Sequence, residues 1–147
     1  MDTSFRKATA SDVELALDIL AGFKESSTKQ WIKQTNREPA RLYLLETVAG
    51  RTGASAFVVN DGMLLVLRPH ILWETGALRL TEEVMMRIGP GGSLSNVIEV
   101  AEHFARKIGA TSVVFGTAFS DRDAALSAAY QRHGYREEAR LLYKEIT

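Results

Sequence analysis

The sequence predicts an α/β domain, a mixed central sheet flanked by helices, spanning residues 1–147. Three observations predict it. Strand-type residues on both sides of Asn60-Asp61-Gly62 mark a β-hairpin, because Asp-Gly accepts positive φ. The break Gly89-Pro90-Gly91-Gly92-Ser93 separates a long alternating segment from an amphipathic one, where Val97, Val100, Ala101, Phe104 and Ile108 recur at helical spacing. The run Ser112-Val113-Val114-Phe115 then reads as a buried strand of the kind found in parallel or mixed sheets.

Taken in order, Phe5–Thr9 is a short strand. Ser11 opens a helix, with Glu14 three residues on as a capping box. Val13, Ala16, Leu17 and Leu20 form its apolar stripe, and it ends near Ser26-Ser27. The polar stretch Thr28–Glu38 is ambiguous and accommodates a short helix around Trp31. Pro39 suits the first turn of the next helix, Leu42, Leu45, Val48 and Ala49 line one face of it, and Gly50 stops it. Ser55–Val59 and Met63–Arg68 are the hairpin strands, followed by a loop through Pro69 and His70 to Gly76.

The long strand runs from Ala77 to Ile88. Strict alternation places Leu78, Leu80, Glu82, Val84, Met86 and Ile88 on one face and Arg79, Thr81, Glu83, Met85 and Arg87 on the other. Gly109 ends the amphipathic helix. The last helix starts at Ser120 or Asp121 and ends at Gly134, and Tyr135–Ile146 is strand-like, with a hairpin around Glu137-Glu138.

Composition narrows the function classes. The chain is 46% hydrophobic and 24% charged, which fits an ordinary globular domain. Eighteen basic and eighteen acidic residues cancel, so the strong basic footprint of a nucleic-acid binder is absent. No cysteine is present, which excludes disulfides, thiolate metal sites and a Cys nucleophile. His70, His103 and His133 lack metal-ligand spacing, so no metal is expected. The polar start Met1-Asp2-Thr3-Ser4-Phe5 and the lack of a long apolar run point to a soluble, cytoplasmic-type protein with no membrane partner.

The element order β-α-α-β-β-β-α-β-α-β resembles the GNAT superfamily of N-acetyltransferases. Phe5-Arg6-Lys7-Ala8-Thr9 with Ser11-Asp12-Val13 is similar to that family's opening strand and helix. Leu80–Ile88 resembles its central strand, which often carries a glutamate where Glu83 stands. Val97–Gly109 resembles the helix after the cofactor loop, and Tyr130-Gln131-Arg132-His133-Gly134-Tyr135 matches the late tyrosine-x-x-x-glycine-aromatic motif. The overall flavour is similar to chains encoded by tailed bacteriophages. That would put the protein in the host cytoplasm or the virion.

The resemblance implies acetyl-CoA as co-substrate, with Met86, Arg87 and Ile88 along its backbone and Gly91, Gly92, Ser93, Leu94 and Ser95 under its pyrophosphate. The loop departs from the family pattern Gln/Arg-x-x-Gly-x-Gly/Ala. Gly92 falls on the first glycine, Leu94 on the second and Gly89 on the basic position. The segment between Ile88 and Val97 is shorter than the family's by about one helical turn of about 3.6 residues. Its glycines suit either a nest of N–H groups for a phosphate or a plain strand-to-helix turn with a serine cap.

Acyl transfer to an amine needs a base, and it gains from a proton donor for the leaving thiolate. The resemblance implies Tyr130 as acid. Packing against the sheet is the other reading of that residue. Asp123 stands where the family often has Asn. Glu83 is the base candidate, with an ion pair to Arg79 or Arg87 as the alternative. His70 and Trp73, in the loop Pro69–Gly76, are candidates for substrate contact; packing is the other role for Trp73 and for Trp31. Two functions follow: an acyl-CoA-dependent N-acetyltransferase acting on a small-molecule or protein amine, or an inactive GNAT-like fold kept for interaction, as a homo-oligomer or with a virion or host partner.

Overall fold

In the computed structural model, which describes residues 2–147, the chain runs β1 (Phe5–Lys7), α1 (Ala10–Ser26), α2 (Gln30–Lys33), α3 (Arg37–Val48), β2 (Ser55–Val59), β3 (Met63–Ile71), β4 (Leu78–Arg87), α4 (Leu94–Ile108), β5 (Ser112–Val114) and α5 (Asp123–Arg132). The strands lie side by side in chain order. Each neighbouring pair is antiparallel except β4–β5, which is parallel. Helix α4 supplies the crossover that a parallel pair requires. This is the expected GNAT-like fold, a mixed sheet with helices on both faces.

Two apolar layers hold the sheet. On one face α1 and α3 bury Val13, Leu17, Leu20 and Leu44 against Val58, Leu64, Val66, Met86 and Ile88. On the other, α4 buries Val97, Val100, Ala101 and Ala105 against Phe57, Leu65, Leu67 and Leu80. Helix α4 fits its prediction closely. Ser93 caps it by accepting from the Asn96 N–H, and Gly109 closes it at φ 79°, a backbone geometry that glycine adopts without steric cost.

Several local expectations change. The N-cap of α1 is Thr9, not Ser11, and the Asp12 carboxylate, not Glu14, accepts from the Thr9 N–H at 2.8 Å. The spacing is right but two residues early, because Asp12 is also held by Arg6 at 2.7 Å. That contact, with the Thr9 donors, holds the Asp12 carboxyl down at about 2. In α3 the buried stripe is Ala40, Tyr43, Leu44 and Thr47, while Leu42 is exposed. Those positions repeat at i, i+3, i+4 and i+7 and meet α1. Strand β3 extends through Pro69 and His70 to Ile71, where a loop was expected.

The C-terminal strand is absent from this structure. Residues 135–147 form no helix or strand, and Leu141, Leu142 and Ile146 are exposed. β5, only three residues long, offers an added strand few backbone partners, and charged side chains in the segment pair locally instead, Arg136 with Glu138 and Arg140 with Glu137.

Candidate active site

The site is built around an irregularity in β4. The β3–β4 register runs Val66↔Val84 and then Leu67↔Glu82, so Glu83 is an extra residue, a β-bulge. The bulge exchanges the faces of β4 midway. Leu80 packs on the α4 side together with Met85, whereas Val84, Met86 and Ile88 pack on the α1–α3 side. The strict alternation read from the sequence therefore fails at Glu83. A side chain's face is set by register with the partner strand, and one extra residue flips all that follow.

Glu82 and Glu83 turn to opposite sides of the strand, and the bulge puts Val84 on the same side as Glu83. Glu83 turns toward α3. It accepts from the Tyr43 hydroxyl and from Arg68 Nε at 3.1 Å. Arg68 also donates to Tyr43 Oη at 2.5 Å and to the Thr52 carbonyl at 2.8 Å. The partner of Glu83 is thus Arg68, rather than Arg79 or Arg87. Glu82 turns toward α5, buried at 9% exposure, and its one hydrogen bond is a long one from the Gly116 N–H at 3.4 Å. Burial without a cationic partner pushes its carboxyl up to about 7, with the Glu83 charge adding to the effect and the Gly116 bond opposing it.

Tyr130 lies beside Glu82. Helix α5 buries it, its ring stacks on Phe115 at 5.0 Å, and its hydroxyl donates to the Gly116 carbonyl at 3.3 Å. Gly116 therefore stands between the two groups, its N–H toward Glu82 and its C=O toward Tyr130. Burial raises the Tyr130 phenol and the Glu82 charge raises it further, so it keeps its proton at neutral pH. Phe115 also meets Tyr135 edge-on at 5.6 Å, which places the late tyrosine-to-aromatic motif against the end of β5.

Beside these groups the sheet opens. β4 and β5 pair only from Arg79↔Ser112 to Thr81↔Val114, and beyond Thr81 the β4 edge that faced β5 is unpaired. Thr81 Oγ1, at the point of parting, is buried with no hydrogen-bond partner. An open strand edge and an orphaned buried hydroxyl suit an extended ligand with amide groups, which would add its own hydrogen bonds there. Met86 and Arg87 lie on this length of β4. The Ile88 N–H does not face the opening; it donates to the Gly62 carbonyl at 2.8 Å.

The glycine loop packs against the β2–β3 turn. A Cβ on Gly91 would lie 2.0 Å from the Asn60 carbonyl oxygen, and one on Gly62 would lie 1.6 Å from the Gly91 oxygen. Backbone meets backbone there, and only glycine fits. The positive φ values of the hairpin fall on Asn60 and Asp61, at 47° and 53°, so Gly62 serves the close approach instead. Arg87 supplies the basic group that the aligned position Gly89 lacks. Its guanidinium donates to the carbonyls of Gly89, Gly91 and Gly92 at 2.9–3.0 Å.

This arrangement decides which loop donors remain. A trans peptide points its N–H away from its C=O, so the Gly92 N–H faces away from Arg87. The Ser93 N–H is taken by Asn96 Oδ1 at 2.9 Å. Leu94 and Ser95, in the first turn of α4, carry N–H groups that the helix cannot pair internally. Gly92, Leu94 and Ser95 therefore offer donors at the N-terminus of α4, where an anion is favoured. Ser95 Oγ also lies 3.1 Å from His133 Nε2 at the end of α5, so His133 borders the same spot.

His70 and Trp73 stay on the β3–β4 hairpin. His70 pairs in register with Arg79, Trp73 is 89% exposed, and neither is hydrogen-bonded or ring-stacked to the groups around Tyr130. Sequence reasoning passed over Glu82 as a site residue, although Glu82-Glu83 was visible as a pair of carboxylates in a strand. Gly116 carried no local signal. Among the described residues no cluster of His, Asp and Glu has the geometry of a metal site, and no helix is long and apolar enough to cross a membrane.

No protein-family model matches the chain, and no curated protein matches it in sequence. Solved structures match it over almost its full length. An acetyltransferase from Trypanosoma brucei shares 17% identity at a TM-score of 0.66, covering 99% of this chain and 100% of that one. Glucosamine-6-phosphate N-acetyltransferase from Arabidopsis thaliana shares 12% identity at 0.66, covering 100% of both. A transcriptional regulator from Bacillus halodurans shares 16% identity at 0.71, covering 98% and 99%. At these identities the likeness is one of fold, and the chain has the fold of N-acetyltransferases of the GNAT type.

Proposed function

We propose that the protein is an N-acetyltransferase that moves an acetyl group from acetyl-CoA to an amine. The observation that carries this reading is Glu82 and Tyr130 meeting across Gly116 beside the unpaired edge of β4. The pair has complementary proton states at neutral pH. Glu82, near 7, is part-ionised and able to take a proton, and Tyr130 stays protonated and able to give one. The acetyltransferase names among the fold neighbours agree with it.

In this reading Glu82 takes a proton from the acceptor ammonium, directly or through one water. The freed amine attacks the thioester carbonyl, whose oxygen gathers charge near the open N–H groups of β4. As the tetrahedral intermediate collapses, the C–S bond breaks, Tyr130 gives its proton to the departing thiolate, and the second proton lost from the amine nitrogen returns to Tyr130 through water. The pyrophosphate rests on the N–H groups of Gly92, Leu94 and Ser95, and Arg87 holds the loop in shape from its carbonyl side. Glu83, neutralised by Arg68, takes no part in proton transfer. The role expected for it passes to its neighbour.

A thermal and calorimetric titration with acetyl-CoA tests this. Binding that raises the melting temperature, with thiol release when amines are added, is the expected outcome. Absence of heat and of stabilisation at millimolar acetyl-CoA would reject it in favour of an interaction role.

A further inference from the structure

A cavity of about 180 Å³ lies between α1, α3 and β4, on the face of the sheet opposite Glu82. Leu17 and Leu20 of α1, Tyr43 of α3, Val84 and Met86 of β4, and Phe119 from the segment after β5 line it. Val84 and Met86 lie beyond the last β4–β5 pair, and Phe119 follows the strand that has parted from them. The cavity thus adjoins the gap between the two strands, on the side away from Tyr130.

Its lining is almost entirely hydrocarbon. Two lining residues carry hydroxyls, Thr35 and Tyr43, and that of Tyr43 is taken up by Glu83 and Arg68. Glu83, the nearest carboxylate on that face, is ion-paired with Arg68 and offers no free anchor to a second cationic group. A sugar ring, a phosphate or a further ammonium placed here would lose its water and find at most the Thr35 hydroxyl in return. An apolar group gains, and apolar cavities of about 150 Å³ are large enough to take up a benzene ring.

We infer that the acceptor is a compact monoamine with an apolar body, seated in this cavity with its nitrogen at the strand gap. This rests on the acetyltransferase reading and names the substrate class for it. Amino sugars and polyamines are thereby poor acceptors.

The test uses the full chain, with butylamine, hexylamine, 2-phenylethylamine, glucosamine 6-phosphate and kanamycin as probes and thiol release as readout. Each methylene buried should improve kcat/KM about fourfold, so hexylamine should exceed butylamine by about 15-fold. Both sugars should fall below hexylamine by at least 100-fold. Ala40→Leu, which fills the cavity wall, should raise KM for hexylamine at least 10-fold and leave KM for acetyl-CoA unchanged. A second readout needs no variant and no turnover: 2-phenylethylamine should shift the Met86 methyl signal in a methionine-labelled sample. Sugars turned over as well as hexylamine, or a Met86 signal unmoved at millimolar 2-phenylethylamine, would overturn the inference. Failure to bind acetyl-CoA would instead overturn the acetyltransferase reading, and the Met86 signal still decides whether the cavity takes the amine.

Discussion

Glu82 and Glu83 are chain neighbours of the same chemistry, yet the two faces of β4 treat them differently. On the α3 side Glu83 has a guanidinium at 3.1 Å and the Tyr43 hydroxyl, so its charge is compensated where it stands. On the α5 side Glu82 has hydrocarbon, one long hydrogen bond and a neighbouring negative charge, and it is held up at about 7. A compensated carboxylate braces α3 against the sheet. An uncompensated one costs stability and is poised to exchange a proton, a combination that marks functional groups. A regular strand would also have put the two on opposite faces, but with Val84 and Met86 on the side of Glu82; the bulge at Glu83 moves those apolar side chains to the α1–α3 side and leaves Glu82 without them.

The largest effect that sharpens this contrast is on rate. Glu82→Gln should lower kcat/KM about 1,000-fold, within the range for a lost general base, while Glu83→Gln should lower it less than about fivefold. Steady-state kinetics of both variants check it, and a larger loss at Glu83 would reverse the assignment. In the parent protein the rising limb of the pH–rate profile should have its midpoint near 7, the value for Glu82.

Stability gives the next largest effect, with the opposite sign. Glu82 rises from the ordinary 4.5 to about 7 on folding. Between those values the native state keeps a proton that the unfolded chain has lost, so stability falls as pH rises through the window and levels off above it. Glu82→Gln removes that slope. At pH 8 the variant should be more stable by on the order of 3 kcal/mol, and at pH 4 it should show no gain. Urea denaturation at the two pH values separates this from a packing effect, which would persist at pH 4.

Tyr130→Phe follows, with an expected fall in kcat of about 100-fold. The ring stack on Phe115 survives that change, so the melting temperature should hold. A variant that keeps full activity would remove Tyr130 from the proton path. The smallest effect concerns the bracing side. Arg68→Ala leaves Glu83 and Tyr43 without their donor and should cost about 2 kcal/mol of stability, measurable by denaturant titration, with little change in acetyl-CoA binding.

The fold was legible to the extent that its causes are local. The stripe Val97, Val100, Ala101 and Phe104, the cap at Ser93 and the stop at Gly109 each depend on residues within a few positions, and they predicted α4 well. The site was legible in part. Tyr130 was reached through the motif ending at Gly134-Tyr135, and it does lie buried against Phe115. Glu83 drew attention where Glu82 holds the perturbed position, because neither the bulge nor the partner Arg68 leaves a mark in the strand's own sequence.

The sequence by itself determined most of the helices and strands as far as α5, the order in which they follow, and the need for glycine between Ile88 and Leu94, but not the end of β3 or the stretch 135–147, which forms no helix or strand. Tertiary structure decided what that glycine loop does. Gly91 sits against Asn60, about thirty positions earlier in the chain, and Arg87 reaches three of the loop's carbonyls, so the turn's shape is set by the hairpin beneath it. Periodicity and capping are short-range effects that a chain displays along its length. Strand register and backbone-to-backbone contact join distant segments, and they exist only once the chain has folded.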